Sequence, residues 1–130
     1  MFDTSVAIAF RDQHEPTLER AGRLDQIVVL PILAVVELEG GVAAANVDRD
    51  RRRASLDRMY ALLEIVPFTE REAAVYRQIV TRLGFSRSKI IDRMIAAQAI
   101  MAGARLATLN PRDFRGIADL RIDDWSITES

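Results

Sequence analysis

Four acidic side chains could do chemistry together if the fold brings them to one place: Asp3, Glu37, Asp92 and Asp113. Mg²⁺ and Mn²⁺ prefer oxygen ligands, and a chain with one histidine (His14) and no cysteine has few others to offer. A multi-histidine zinc site within one chain, a disulfide and a thiol nucleophile are excluded. A carboxylate site holding one or two such ions could activate water and stabilise a phosphate under in-line attack.

Each of these acids also has a purely structural interpretation. An aspartate just before a helix, as Asp3 is, commonly caps it, and the helix dipole favours Asp92 near the start of an apolar helix. Asp113 is a typical turn residue. Glu37 interrupts an apolar stretch, where burying an unpaired charge would cost several kcal/mol unless the side chain faces solvent. The residues alone leave these alternatives open, and only their combination favours a metal site.

The spacing of apolar residues predicts the elements that would position the acids. Residues 2–10 are expected to form a very short strand running into a helix, and further short strands are predicted at 27–30, 65–68, 105–109 and 120–125. Helices are predicted over about 31–45, 48–63, 69–84 and 88–103, with another helical turn at 16–21. Thr69 with Glu72 fits a capping box, and Ser88 is expected to cap the helix that ends at Gly103.

Strands that alternate with helices indicate an α/β sandwich with a small, mostly parallel sheet. Ligands of such sheets gather at the carboxyl ends of the strands, so the four acids are expected at that edge. A length of 130 residues and a hydrophobic fraction of 49% predict a single domain over 1–130. No apolar run is long enough for a membrane span and no signal peptide is recognised, so we expect a cytoplasmic protein.

Four blocks of the sequence, taken in order, resemble the PIN-domain family, and within it the VapC-like toxins of bacterial type II toxin–antitoxin pairs. The blocks are Asp3-Thr4-Ser5-Val6, 36–42 (VELEGGV), 92–97 (DRMIAA) and 108–114 (TLNPRDF). The resemblance implies a PIN-like α/β/α sandwich and a Mg²⁺- or Mn²⁺-dependent endoribonuclease that cleaves RNA. It assigns the catalytic, metal-binding acids to Asp3, Glu37, Asp92 and Asp113.

The resemblance also implies supporting residues and partners. The fourth acid varies in the family between two places in one turn, so we assign it to Asp113 and expect Asn110 to assist it. Ser5 and Thr108 are expected to orient the metal ligands. A homodimer and a small antitoxin that covers the acidic site are implied as well. Basic residues close to the acids in sequence are candidates for contact with the RNA backbone: Arg87, Lys89, Arg93 and Arg112.

Two departures from the family pattern keep a second function open. Ser5 stands where many members have Asn, and only two residues precede Asp3, which predicts a very short first strand or a start that lies upstream. The alternative is a catalytically weak or inactive PIN-fold module that binds RNA or protein. The arginine-rich stretch 48–53 could likewise grip phosphate or form a solvated, self-paired helix start.

Overall fold

The carboxyl edge predicted to carry the acids is built from strands of three residues or fewer. The computed structural model describes residues 1–127, and in it β1 (Val29–Pro31) pairs in parallel with β2 (Glu64–Val66). β3 (Leu106–Thr108) pairs in parallel with β4 (Ile122–Asp124). The structure therefore confirms an α/β fold with small parallel sheets.

The N-terminal segment 1–3 joins the two strand pairs. Phe2 forms a single parallel bridge with Ala107, and its backbone N–H donates to the Val29 carbonyl over 3.0 Å. The Asp3 N–H donates to the Ala107 carbonyl over 3.0 Å. The segment thus lies between β1 and β3, which confirms the very short first strand and places Asp3 at its carboxyl end.

Within residues 1–127, six α-helices surround these strands: α1 (Thr4–Arg11), α2 (Glu15–Gly22), α3 (Ile32–Ala44), α4 (Arg49–Leu62), α5 (Glu70–Leu83) and α6 (Ile90–Ala102). α1 packs against β3, α3 and α4, α6 packs against β1 and α3, and α5 packs against α6. Alanines occupy much of the buried face of α6, and their small side chains allow close approach to the neighbouring elements. None of these helices is long and apolar enough to cross a membrane.

Phe2 anchors the segment that carries Asp3. Its side chain is 1% exposed and lies between two aromatic rings, with centroids 5.6 Å away at Phe10 and 5.3 Å away at Trp125. Burying an aromatic ring of this size stabilises the fold by about 1.5–3 kcal/mol. Trp125 therefore belongs to the core, and its packing holds the short first strand in place.

The predicted cap at Ser88 is wrong. Residues Arg87–Lys89 form a 3-10 turn, α6 begins only at Ile90, and its N-cap residue Lys89 makes no side-chain cap. Ser88 lies inside this tighter turn, where its hydroxyl is 3.3 Å from that of Ser86 instead of facing the helix. The C-terminal stop at Gly103 is confirmed, because this glycine takes the left-handed conformation that L side chains rarely adopt.

Candidate active site

Asp3 is both a helix cap and a buried carboxylate. It is 5% exposed, and one carboxylate oxygen accepts hydrogen bonds from the Val6 N–H over 2.9 Å and from the Ser5 hydroxyl over 2.6 Å. Its other oxygen accepts a hydrogen bond from Thr108 over 2.5 Å. Burial raises the pKa of Asp3, and these hydrogen bonds oppose the rise. The cap interpretation is confirmed, and a carboxylate with about four acceptor positions keeps room for a further ligand.

Ser5 and Thr108 connect Asp3 to the end of β3. The Ser5 hydroxyl donates to Asp3 and accepts from the backbone N–H of Leu109 over 3.0 Å. The Thr108 hydroxyl also donates to Asp3, and it accepts a hydrogen bond from the backbone N–H of Asn110 over 2.9 Å. Both hydroxyls therefore use their donor and an acceptor position, which fixes the orientation of Asp3. Asn110 takes part through its backbone, and within residues 1–127 its exposed side chain makes no hydrogen bond.

Asp92 shows that the four acids share one electrostatic environment. It lies in the first turn of α6, and its pKa is raised to about 6, first by burial and then by the negative charges of Asp113, Glu37 and Asp3. The positive charge of Lys89 opposes this rise. Carboxylates repel one another measurably only at short range or through poorly screened surroundings. The acids separated by up to 110 positions in sequence are thus neighbours in the fold.

Glu37 and Asp113 are each held by a donor. The Thr4 hydroxyl donates to Glu37 over 2.5 Å, and the Lys89 ammonium lies 3.3 Å from an oxygen of Asp113. Glu37 is exposed on α3, and Asp113 lies in the 3-10 turn Pro111–Phe114 that follows β3. Sequence reasoning missed Thr4, although a hydroxyl directly after a candidate ligand was visible.

The four carboxylates suit Mg²⁺ or Mn²⁺ in chemistry, because both ions prefer oxygen ligands. They are not drawn together: among residues 1–127, no three acidic or histidine side chains are grouped closely enough to hold a metal ion. Glu37 instead accepts a hydrogen bond from Thr4, and Asp113 pairs with Lys89. To bind an ion together, these outer side chains would have to move, while hydrogen bonds already fix Asp3.

The basic residues near the acids have different surroundings. Arg87 and Arg112 are exposed, which leaves both accessible to a phosphate. Arg93 donates to the backbone carbonyl of Gly84 over 2.7 Å, which directs its guanidinium towards the end of α5. Lys89, the single lysine of the chain, is paired with Asp113. All four remain candidates for contact with RNA. To bind a phosphate, Arg93 would have to share or give up its bond to the Gly84 carbonyl, and Lys89 its pairing with Asp113.

Comparison with known proteins identifies the family. The sequence model of the PIN domain matches residues 1–120. Ribonuclease VapC1 of Rickettsia felis is 32% identical over 126 residues, which cover 94% of this chain and 92% of the relative.

Solved structures show the same fold. The DNA-bound VapBC structure from Salmonella typhimurium matches with a TM-score of 0.84 and 26% identity, covering 96% of each chain. VapBC2 from Rickettsia felis, bound to a promoter DNA fragment, matches with a TM-score of 0.87 at 22% identity, covering 96% of this chain and 97% of its own. The chain therefore belongs to the PIN-domain family, within its VapC-like branch.

Proposed function

We propose that this chain is a Mg²⁺- or Mn²⁺-dependent endoribonuclease, the toxin of a type II toxin–antitoxin pair, which hydrolyses phosphodiester bonds of RNA. The observation that carries the proposal is the pKa of Asp92, which burial and three neighbouring carboxylates raise to about 6. Fold stability alone gives no reason to place four acids within reach of each other, since their repulsion destabilises the folded chain. Strongly perturbed carboxylates of this kind cluster at functional sites.

The candidate ligands are Asp3, Glu37, Asp92 and Asp113. A bound Mg²⁺ or Mn²⁺ would supply an activated water and neutralise charge that develops on the phosphate. The chain itself contributes orientation: Ser5 and Thr108 hold Asp3 rigidly at the end of the first strand. Without an ion the pKa of Asp92 is raised to about 6, and a bound divalent cation would lower it by favouring the ionised carboxylate.

A small antitoxin is the proposed protein partner. The solved VapBC structures that this chain resembles contain such pairs. An edge with four carboxylates and one nearby lysine attracts a basic side chain, which gives an antitoxin an electrostatic reason to cover the site. We also propose a cytoplasmic homodimer. Apolar side chains available for contacts between subunits include Ile27, Leu62 and Phe85, which are 76%, 71% and 70% exposed.

Cleavage of a structured RNA tests the proposed activity. We expect turnover with Mg²⁺ or Mn²⁺, none with EDTA, and a loss of at least about 100-fold for Asp92→Asn, within the range by which electrostatic stabilisation acts in enzymes. Asp25→Asn, which removes an exposed carboxylate outside the site, is the matched control. Cleavage that is indifferent to both chelation and Asp92→Asn would contradict the proposal.

A second candidate function follows from the spacing of the acids. Because no three of them are grouped to hold a metal within residues 1–127, the chain could serve as a PIN-fold module that binds RNA or protein without cutting. Calorimetry with Mn²⁺ separates the two functions. Metal binding together with turnover excludes the binding module, whereas RNA binding without either supports it.

A further inference from the structure

A cavity of about 310 Å³ lies between the end of α1 and one side of α4, and it shares no residue with the acidic site. Charged side chains form most of its wall: the arginines Arg11, Arg51, Arg52 and Arg58, and the aspartates Asp12 and Asp48. Two elements that are far apart in sequence thus converge on one basic cavity. A charged stretch on a single helix would not require such convergence.

The fold directs these arginines into the cavity. Arg52 lies on the same helical face as the buried Leu56 and Met59. The buried face of α4 therefore ends, towards the start of the helix, at the Arg52 side chain in the cavity wall. Across from it, Arg11 ends α1 with a side chain only 12% exposed, and it pairs with Asp12 over 2.9 Å. The wall contributed by α1 is therefore ordered by burial, and α1 packs directly against α4.

Arginines next to these in sequence are already engaged elsewhere. Arg53 forms salt bridges with Glu39 and Asp57, and the Arg49 guanidinium donates to the carbonyl of Ala45. Arg51 and Arg52 differ, because in the part of the chain that the structure describes their side chains make no hydrogen bond or ion pair. Their donors remain available to a ligand.

The charge balance of the cavity indicates an anionic ligand. Four arginines face two aspartates, and one of those aspartates is already paired with Arg11. Repulsion among the remaining guanidinium groups would be relieved by a bound polyanion. Guanidinium groups match phosphate in geometry and bind it through paired hydrogen bonds. A phosphate chain therefore fits this wall better than a single small anion, since several arginines can each contact a separate phosphate.

We propose that this cavity, which we call the arginine cavity, binds the phosphate backbone of the RNA substrate at a distance from the bond that is cut. The inference rests on the proposed ribonuclease function. Helix α1 connects the two places: Asp3 caps its start and Arg11 ends it, and eight helical residues span about 12 Å. A bound strand could therefore contact the acids and the arginine cavity together, with α1 as a rigid spacer between them.

Binding measured without cleavage tests the arginine cavity. The Asp92→Asn chain in EDTA is titrated into a fluorescein-labelled single-stranded RNA, and anisotropy is followed between about 50 and 200 mM salt. Replacing both Arg51 and Arg52 by Gln should weaken binding about tenfold at low salt and reduce the slope of log affinity against log salt by about 1.4. The control, Arg71→Gln with Arg77→Gln, removes the same charge from exposed positions on α5 and should change affinity far less.

Several outcomes would overturn the inference. Equal weakening by both paired substitutions would reduce the effect to net charge, and unchanged RNA affinity would show that the arginine cavity does not hold RNA. If the Arg51 and Arg52 substitutions weaken binding of polyglutamate but not of RNA, the cavity docks an acidic protein instead. Should the double variant not fold, Arg51→Gln and Arg52→Gln are tested singly, each with about threefold weakening expected. Metal-dependent cleavage is not used here, so its absence would contradict the proposed function alone.

Discussion

Asp92→Asn should stabilise the fold at neutral pH while it abolishes cleavage. Among residues 1–127 the side chain of Asp92 makes no hydrogen bond, so the substitution removes a charge without removing a contact such as those of Asp3. Burial and three neighbouring carboxylates disfavour the ionised form of Asp92. Removing that charge relieves the repulsion, because asparagine has nearly the same shape and no charge.

The magnitude follows from the pKa. A rise from 3.8 to about 6 corresponds to about 3 kcal/mol at about 1.4 kcal/mol per pKa unit. Asp92 is only half-buried, and solvent screening reduces the effect on the free energy of unfolding to about 1.5 kcal/mol. For a chain of this length, the melting temperature of Asp92→Asn should exceed that of the parent by about 5 °C at pH 7.5.

The dependence on pH gives the prediction its sign. Since the pKa is higher in the folded state, the folded chain binds the proton more tightly than the unfolded chain. Stability from this group is present below about pH 4 and is lost as the pH rises to about 6 and beyond. The difference in melting temperature between variant and parent should therefore be small near pH 4, about half its full value near pH 5, and complete at pH 7.5.

Thermal unfolding in EDTA at these pH values measures the effect, with Asp25→Asn as the exposed control. The variant is assayed for RNA cleavage in parallel. A lower melting temperature for Asp92→Asn at pH 7.5, or a difference that does not change with pH, would refute the argument that the acids repel one another. It would also assign Asp92 a structural role at the start of α6.

Three further perturbations test the supports of the site. Thr108→Val removes a donor from the buried aspartate that precedes α1 and should lower the free energy of unfolding by about 1–3 kcal/mol in urea, whereas Thr108→Ser should change it little. Lys89→Met removes a positive charge that lowers the pKa of Asp92, so the carboxyl titration of Asp92 followed by NMR should move to higher pH; an unmoved titration would exclude that interaction. Gln98, 2% exposed, donates to two carbonyls where β2 ends, and Gln98→Leu should cost about 1–3 kcal/mol, unlike Gln78→Leu at an exposed position of α5.

The positions of three of the four acids could be predicted from the sequence because two local rules suffice for them. Residues that follow parallel strands share one edge of a sheet, which places Asp3 and Asp113 on the same side. The first turn of an apolar helix that follows a loop faces the same edge, which accounts for Asp92. The structure agrees with both rules, since Asp92 senses the charges of the other acids.

The contacts of Glu37 and Asp113 could not be predicted in this way. Thr4 and Glu37 are 33 positions apart, and Lys89 and Asp113 are 24 positions apart. Such pairs depend on the rotation of α3 and on the 3-10 turn before α6, and neither leaves a local pattern in the sequence. The same turn explains why Ser88 was wrongly expected to cap α6. In a sequence, a capping residue is recognised by its place just before an apolar helical pattern, and that pattern does not show that a 3-10 turn lies between.

Adjacent arginines of the stretch 48–53 contact different parts of the fold, and the sequence alone does not show which part each contacts. Successive residues of a helix point about 100° apart, so Arg52 faces the arginine cavity while Arg53 faces α3. Sequence reasoning left the stretch 48–53 undecided between phosphate contact and internal pairing. Arg53 is paired, and phosphate contact is what we propose for Arg51 and Arg52; the positions of α1 and α3 separate the two groups.

The pairing of Arg53 in turn bears on the candidate active site. Glu39 accepts two hydrogen bonds from Arg53 and one from Tyr60, and these lower its pKa, so it stays ionised and engaged with α4. Two residues along a helix lie about 200° apart, so fixing Glu39 towards α4 directs Glu37 to the other side of α3, where Thr4 holds it beside the acids. The two glutamates of α3 therefore face different sides of the helix, Glu39 towards α4 and Glu37 towards the other candidate acids.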